Sequence, residues 1–315
     1  MNRHARMTQI LIQAQTAART APAPAAFKMK FNPGFEFGRE PNRQADQTMN
    51  LDPLEEQTDV GDAVLTGTIP AILCLNDMGQ WLKHLLGDPA TTGVGPYEHE
   101  YTLDLSVASR FLMELGYTDV DKYPRWLDCI VNSLSYSIKE AEQNISLGIM
   151  GGTQISPIGG AVFDAAPTIY AKDRACSRGG EVYDVDGAST LGQIIEASLN
   201  LSKDYQGQLI ADGLEGYSDY LVGQPSLGGT LRFIYDDGTN LFDHGHANTA
   251  KPLTLISMNA AGDASLEWTI PAAEFSEPKH RMETSAGIIA TVDWKAIKHA
   301  TDPVTVVLTN GIVSY

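Results

Sequence analysis

The sequence predicts an all-β protein, mainly antiparallel, built as a sandwich or barrel with one flanking α-helix. Three observations predict it. Short apolar runs alternate with polar residues at period two along most of the chain, and a single run repeats at helical spacing. No strands alternate with helices as a parallel sheet would require. The chain has 315 residues, 43% hydrophobic and 19% charged, enough for one large domain or two small ones with a real core.

Residues 1–26 are rich in Ala, Gln, Thr and Arg and end in an Ala-Pro stretch. With few large apolar groups, they are expected to form an arm that orders only against a partner. From Phe27 to Asp62 the chain mixes Gly, Pro, Asn and acids with sparse Phe31, Phe35 and Phe37, a pattern of extended backbone. The expected organisation is therefore an arm and extended loop over residues 1–60 and a β domain over 61–315.

The helix is predicted at Asn76–Leu86, where Met78, Trp81, Leu82, Leu85 and Leu86 make one apolar stripe. Asn76 is placed to cap its start and Gly87 to end it. Trp81 could serve as a stacking platform, but its place in the stripe assigns it to the core.

Beyond Gly95 the period drops to two. Tyr97, His99, Tyr101, Leu103 and Leu105 alternate with Glu98, Glu100, Thr102 and Asp104, a half-buried strand. Phe111, Met113 and Leu115 repeat the pattern. Leu134, Tyr136 and Ile138, then Ile145, Leu147 and Ile149, make a hairpin of residues 130–150 around the turn Glu140–Asn144. Further strands are centred on Leu199, Phe233, Trp268, Val292 and Val306, about nine in all. The stretch Gly151–Gly187, rich in Gly, Pro, Ala and Asp, is long for a loop and is expected to be an insertion that meets a neighbouring subunit.

The formal charge is −17, yet the first 30 residues hold five basic groups and no acid, so the remainder carries 17 basic against 39 acidic residues. Such a surface repels phosphate and disfavours tight nucleic-acid binding, although net charge can also be only a solubility device. Cys74, Cys129 and Cys176 are odd in number and widely spaced, which suggests a reducing compartment and neither a disulfide framework nor a zinc site. Gln13, Gln15 and Thr16 interrupt the early apolar run, against a secretory signal, and no window approaches a membrane span. A soluble protein is expected.

No catalytic, metal or cofactor motif is found, and the expectation is a protein that is not an enzyme. Asp243, His244 and His246 are the one tight cluster of possible metal ligands, but they lie in a Gly-, Asn- and Asp-rich loop that reads as a solvated turn. Asp236-Asp237-Gly238 lacks the alternating acids and distal Glu of a calcium loop and reads as a β-turn. Glu140 and Glu142 could be posed as paired carboxylates, but solvent in the turn would keep both ionised. There is no GxSxG elbow, P-loop or HExxH.

Several stretches then recur in a telling order. They are Gly61-Asp62-Ala63-Val64-Leu65-Thr66-Gly67, Trp81-Leu82-Lys83-His84-Leu85-Leu86-Gly87 and Tyr97-Glu98-His99-Glu100-Tyr101. Next come Arg110 to Tyr117, Trp126 to Ser135, Ile145 to Gly152, Gly228 to Phe233 and Leu308-Thr309-Asn310. In that order they resemble the tail tube proteins (major tail proteins) of long-tailed, siphophage-like bacteriophages, over most of the chain beyond the arm. Asp128 stands where that family more often has Gly, and Leu115 interrupts its usual Glu-Gly pair.

The resemblance implies a structural virion protein whose hexameric rings stack through arms and loops into the tail tube, the conduit for DNA ejection. It implies self-association, contact with tape measure, baseplate and terminator proteins, and passage of DNA without specific binding. It also implies residence in the virion tail and, during assembly, the bacterial host cytoplasm. Four strands from each of six subunits would give a circumference of roughly 115 Å, and an acidic lumen would repel the passing duplex. Two alternatives stand beside it. One is the tube of a contractile system: a myophage, a tailocin or a type VI-like apparatus. The other is a β-sandwich carbohydrate-binding module or hydrolase using Trp268, Trp294 and neighbouring acids, although the strand period of those Trp favours core packing.

Overall fold

A computed structural model describes residues 8–44, 59–103, 109–138, 143–155, 160–176, 181–185, 193–209, 216–234, 249–277, 279–284, 287–299 and 303–315. In chain order these form β1 (Thr8–Ala14), β2 (Phe27–Met29), β3 (Glu36–Gln44), β4 (Asp59–Ile72), α1 (Leu75–Leu86), β5 (Ala90–Thr92) and β6 (Tyr97–Thr102). Then come β7 (Phe111–Tyr117), β8 (Arg125–Ile138), β9 (Gln143–Gly151), β10 (Gln154–Ile155), β11 (Glu181–Val185), β12 (Gln193–Ser202), β13 (Tyr205–Gln208) and β14 (Asp219–Val222). β15 (Ser226–Ile234), β16 (Lys251–Met258), β17 (Ser265–Phe275), β18 (Lys279–Thr284), β19 (Gly287–Ala296) and β20 (Thr305–Asn310) complete it.

Every strand pairing is antiparallel, and β8 is the hub. Its first half pairs with β7 and β10, and β7 pairs in turn with β1, which pairs with β2. Its second half sits in a ladder running β3, β4, β9, β8, β12, β15, β19, β18. A second ladder runs β11, β16, β17, β20, β6, β5, and the end of β17 crosses to pair with β19. Leu134, Leu147, Leu199 and Leu231 from the first ladder share one buried cluster with Leu255, Trp268, Val306 and Tyr101 from the second, and Trp81 and Leu85 of α1 join it. The Tyr136 hydroxyl on β8 meets Ser257 on β16 across this core.

The predicted hairpin over 130–150 is present as β8 and β9, with Leu134 opposite Leu147 and Tyr136 opposite Ile145. The strand after Gly95 is β6, with His99 and Tyr101 buried and Glu98 and Glu100 exposed, as the alternation predicts. Three expectations need correction.

Thr8–Ala14 is not an arm that waits for a partner. It is a strand between β2 and β7 whose Ile10, Leu11 and Ile12 are all fully buried. Three adjacent buried residues mean that both faces are covered, so alternation is absent and the strand is masked. The described residues also hold twenty strands where about nine were expected. β4 was hidden by Gly61, Gly67 and Pro70, yet at Gly67 a Cβ would lie 2.1 Å from the Glu36 carbonyl oxygen, so the close approach of β3 explains the glycine.

The helix has the expected extent and ends at Gly87, whose φ of 110° suits glycine. Its start differs: Cys74 holds the cap position without a side-chain hydrogen bond to the helix, and the Asn76 amide donates instead to the Ala171 carbonyl at 3.1 Å. Every α1 residue except Lys83 is buried. Its polar side is covered by the segment 160–176 and by residues near Tyr315, which supply Tyr170 to Gln80 and a tyrosine hydroxyl to the Asn76 carbonyl.

His84 lies on that covered side, its Nδ1 3.1 Å from Ser109 Oγ and its ring against Phe111. Burial, aided by Lys83, pushes its pKa down to about 3, against weaker opposition from Asp88. The unfolded chain therefore takes up a proton that the folded chain refuses. The stability this preserves is full above about pH 6.5 and is lost as pH falls toward the folded value. Asp77 and Glu114, whose carboxyls burial raises, act in the opposite sense. Between pH 6.5 and 4.5 the wild type is expected to lose about 2 kcal/mol more than His84→Gln, measured by urea unfolding at the two pH values. Equal losses would remove His84 from the account.

Candidate functional site

The buried charges are the first place to look for chemistry, and the carboxylates Asp77, Glu114 and Asp128 each lock segments together, while the buried Lys203 meets the nearby Tyr205. Asp128 is fully buried at a β-bulge, where three residue steps on β8 oppose two on β7. Its φ is +56°, a left-handed conformation that Asp tolerates and that glycine adopts most readily. The carboxylate accepts the Arg19 backbone N–H at 3.0 Å and an Arg110 guanidinium N–H at 3.3 Å. Its own N–H donates to the Gln15 side chain, and its carbonyl accepts the Tyr220 hydroxyl at 2.6 Å. Arg110 continues to Asp219 at 2.8 Å. One residue thus ties together the stretch after β1, the start of β7, the bulge and the β13–β14 hairpin.

Glu114, buried on β7, accepts from Arg125 Nε and from the Phe163 N–H at 2.8 Å, while Arg125 also donates to the Ala161 carbonyl. Asp77 of α1 is held by Lys30 Nζ at 2.7 Å, and the same ammonium donates to the Tyr170 carbonyl at 2.9 Å. Burial raises both carboxyls and the cations oppose the shift. In each pair the cation also grips a carbonyl of the 160–176 segment, so these charges fasten the long connection to the body. Asp77, Glu114 and Asp128 are themselves buried, although Lys30 lines a small cavity with Phe31 and Arg174.

His99 is buried between Thr91 Oγ1 at 2.9 Å and the Ile312 carbonyl at 2.9 Å. Trp81, Trp268 and Trp294 are all buried, so the described structure presents none of them as a sugar-stacking platform. Among the described residues no group of three or more His, Cys, Asp or Glu could hold a metal ion. Asp236, Asp237, Asp243, His244 and His246 lie outside the described residues, as do Glu140 and Glu142. Cys74, Cys129 and Cys176 are free thiols, and burial pushes the Cys129 thiol up.

Two outward faces are chemically distinct. On the side of the first ladder turned away from the core, the central strands β4, β9, β8 and β12 and the start of β15 carry rows of neutral groups, flanked by Glu36 on β3 and by Asp293 and Lys295 on β19. One row is Thr68, Gly148, Ser133, Ser202, Ser226, and the next is Pro70, Ser146, Ser135, Asn200, Gly228. The third is Ile72, Asn144, Ser137 and Ser198, with Ser198 bonded to Thr230 at 2.9 Å. Within these central strands the rows contain no ionisable side chain, and the next partners are Glu36 beside Thr68, Lys295 beside Gly228 and Asp293 beside Thr230. A Cβ at Gly148 would stand 2.2 Å from Ser133 Oγ, so the glycine keeps the wall flat. The outward side of the second ladder carries Glu98, Glu100 and Glu267 among threonines, with Val307 the register partner of both Glu100 and Glu267.

Sequence reasoning reached the alternation that sets these faces but not their contrast, because one row draws on residues up to 158 positions apart, as with Thr68 and Ser226. Comparison with known proteins adds one match: a model of the phage tail tube protein family covers residues 5–296. No curated protein matches the chain.

Proposed function

The chain belongs to the phage tail tube protein family, and from that premise we propose that it forms hexameric rings that stack into the tube of a long non-contractile tail, with the neutral centre of the first ladder's outward side, β4 to the start of β15, lining the channel. As a member of that family it is a structural protein of the virion tail and not an enzyme.

The observation that carries the finer reading is the contrast of the two faces on a chain of net charge −17. A wall passed by a polyanion must neither bind phosphate, as Lys and Arg would, nor collect cations that bridge to it, as dense carboxylates would. Hydroxyl and amide rows meet both conditions, and short side chains keep the bore smooth. Glu98, Glu100 and Glu267 of the second ladder then face outward, where they hold neighbouring particles apart. Closing the ladder edges β3 and β18 around a ring also removes free strand edges that would invite aggregation.

Negative-stain microscopy with light scattering across a concentration series tests the assembly: rings of six or hollow tubes are expected, and a protein that stays monomeric, even with a tail-initiator complex, overturns it. Co-purification of a sheath protein would assign a contractile tail instead. For the channel face, Ser135→Cys in assembled tubes on a Cys176→Ser background is expected to react with a small maleimide but not with a protein-sized one. Glu100→Cys should accept both. The reverse pattern would place the acids inside.

A further inference from the structure

A cavity of about 200 Å³ opens where the stretch after β2, the end of β4 and the 160–176 segment meet. Lys30, Lys172 and Arg174 line it together with Asn32, Phe31 and Ile72, and among the described residues no carboxylate belongs to its lining. The full chain has 39 acids and 22 bases, so three bases gathered without an acid run against its composition. The volume is below the roughly 300–1,000 Å³ of sites for drug-sized ligands, which limits an occupant to a small group.

The backbone of residues 171–175 explains how the bases come together. Arg174 is the antiparallel bridge partner of Cys74, and the Ala175 N–H donates to the Leu73 carbonyl, so the stretch runs extended beside the chain entering α1. Side chains alternate along an extended stretch. Lys172 and Arg174 therefore share the side that reaches the cavity. Asp173 turns the other way, where both of its oxygens accept the Asn259 amide, at 3.0 and 3.1 Å. The acid between the two bases is thus engaged elsewhere, and neither Lys172 nor Arg174 forms an ion pair among the described residues. Lys30 differs, because its ammonium is already held by both Asp77 oxygens and by the Tyr170 carbonyl. The cavity therefore offers two uncommitted positive charges beside a third that is balanced.

We propose that this cavity is a binding site for a phosphate dianion, either free or as the end of a phosphomonoester. Two uncommitted cations match a dianion, whereas a single carboxylate would leave one of them unmatched. The Arg174 guanidinium presents paired donors to two oxygens, and Lys172 adds a compact charge with rotatable donors. Phe31 and Ile72 exclude water from part of the wall and so strengthen both contacts. A bound anion would join the stretch after β2, the end of β4 and the 160–176 segment at a point that Asp77 and Glu114 do not reach. The site does not depend on the tube reading, and its test is made on the unassembled subunit.

Inorganic phosphate is titrated into the full-length protein at constant ionic strength, with binding followed by calorimetry and stability by the thermal midpoint. A saturable heat and a saturable rise in Tm are expected, since a ligand that binds only the folded state stabilises it. Phosphate also stabilises proteins by exclusion from their surface, an effect every variant shares. Lys172→Gln with Arg174→Gln should keep that shared effect and weaken the saturable binding by at least about tenfold, through loss of charge-assisted hydrogen bonds. Near-ultraviolet circular dichroism without phosphate checks that the variant is folded. Arg174→Lys keeps the charge and should bind more weakly than wild type but more tightly than the double variant. Lys279→Gln, at an exposed lysine on β18, should bind like wild type. Sulfate is expected to compete and chloride is not. O-phosphoserine separates the two sources: tighter binding than inorganic phosphate assigns an ester, and weaker binding assigns the free anion. The proposal is overturned if no saturable binding is seen, if the double variant binds like wild type, or if Lys279→Gln lowers binding as much as the double variant does.

Discussion

Asp128→Ala is expected to destabilise the subunit by about 3–5 kcal/mol, from the loss of buried hydrogen bonds and the strain of a left-handed alanine. Removing the carboxylate leaves the Arg19 N–H without its two oxygens and Arg110 with only Asp219 and the Ser218 carbonyl. The backbone at φ +56° adds to the loss, because alanine has neither glycine's freedom nor the local hydrogen bonding of Asp. The ranking separates the two causes. Asp128→Gly keeps the conformation and loses the carboxylate, so it should fall short of wild type by about 2–3 kcal/mol. Asp128→Asn keeps shape and acceptor and should lose the least. Urea unfolding of the isolated subunit reads all three. A glycine variant as stable as wild type would show that the carboxylate contributes nothing and that the position asks only for a left-handed backbone.

Removing residues 1–14 is expected to cost about 5–8 kcal/mol, from burial of roughly 1.5–3 kcal/mol for each of three large aliphatic side chains, and so to leave little folded subunit. Ile10, Leu11 and Ile12 would be lost and the edge of β7 exposed along its whole length, from Phe111 to Tyr117. Unpaired strand edges of this kind recruit other chains, so aggregation is the expected companion. Removing only residues 1–7 leaves β1 whole and should leave the unfolding midpoint unchanged. A chain without residues 1–14 that unfolds at the wild-type midpoint, and fails only to assemble, would return this stretch to the role of an arm.

The sequence carried much of the fold wherever one face of an element meets water. β6, β9, β17 and β20 each alternate in burial along most of their length, and each was legible. Where both faces are covered the signal weakens: β1 is buried on both sides and was missed, while β7, buried likewise, was still read from Phe111, Met113 and Leu115. α1 showed its apolar stripe but not that its polar side would also be covered, because the covering groups Lys30, Tyr170 and Tyr315 lie far along the chain. The bulge was visible only as a mismatch, Asp128 where the resembling family has Gly. Its left-handed φ now gives that mismatch a physical reason, since both residue types serve such a position. The surface contrast was the least legible, because a row of hydroxyls across a sheet is assembled from strands whose register no single stretch encodes.

The place of β20 has a consequence for when the subunit can be made. This strand is inserted between β17 and β6, pairing with Ser265–Thr269 on one side and with Tyr97–Thr102 on the other. Its Asn310 also donates to the Leu75 carbonyl at the start of α1. A nascent chain emerging from the ribosome can form the local β8–β9 hairpin early, but β6 has no partner on that side until residues 305–310 have been synthesised. The second ladder thus closes only once residues 305–310 have emerged, and long-range pairing of this kind is slow. Until then the outer half of the core is incomplete, so a chain still being made cannot present finished surfaces to its neighbours.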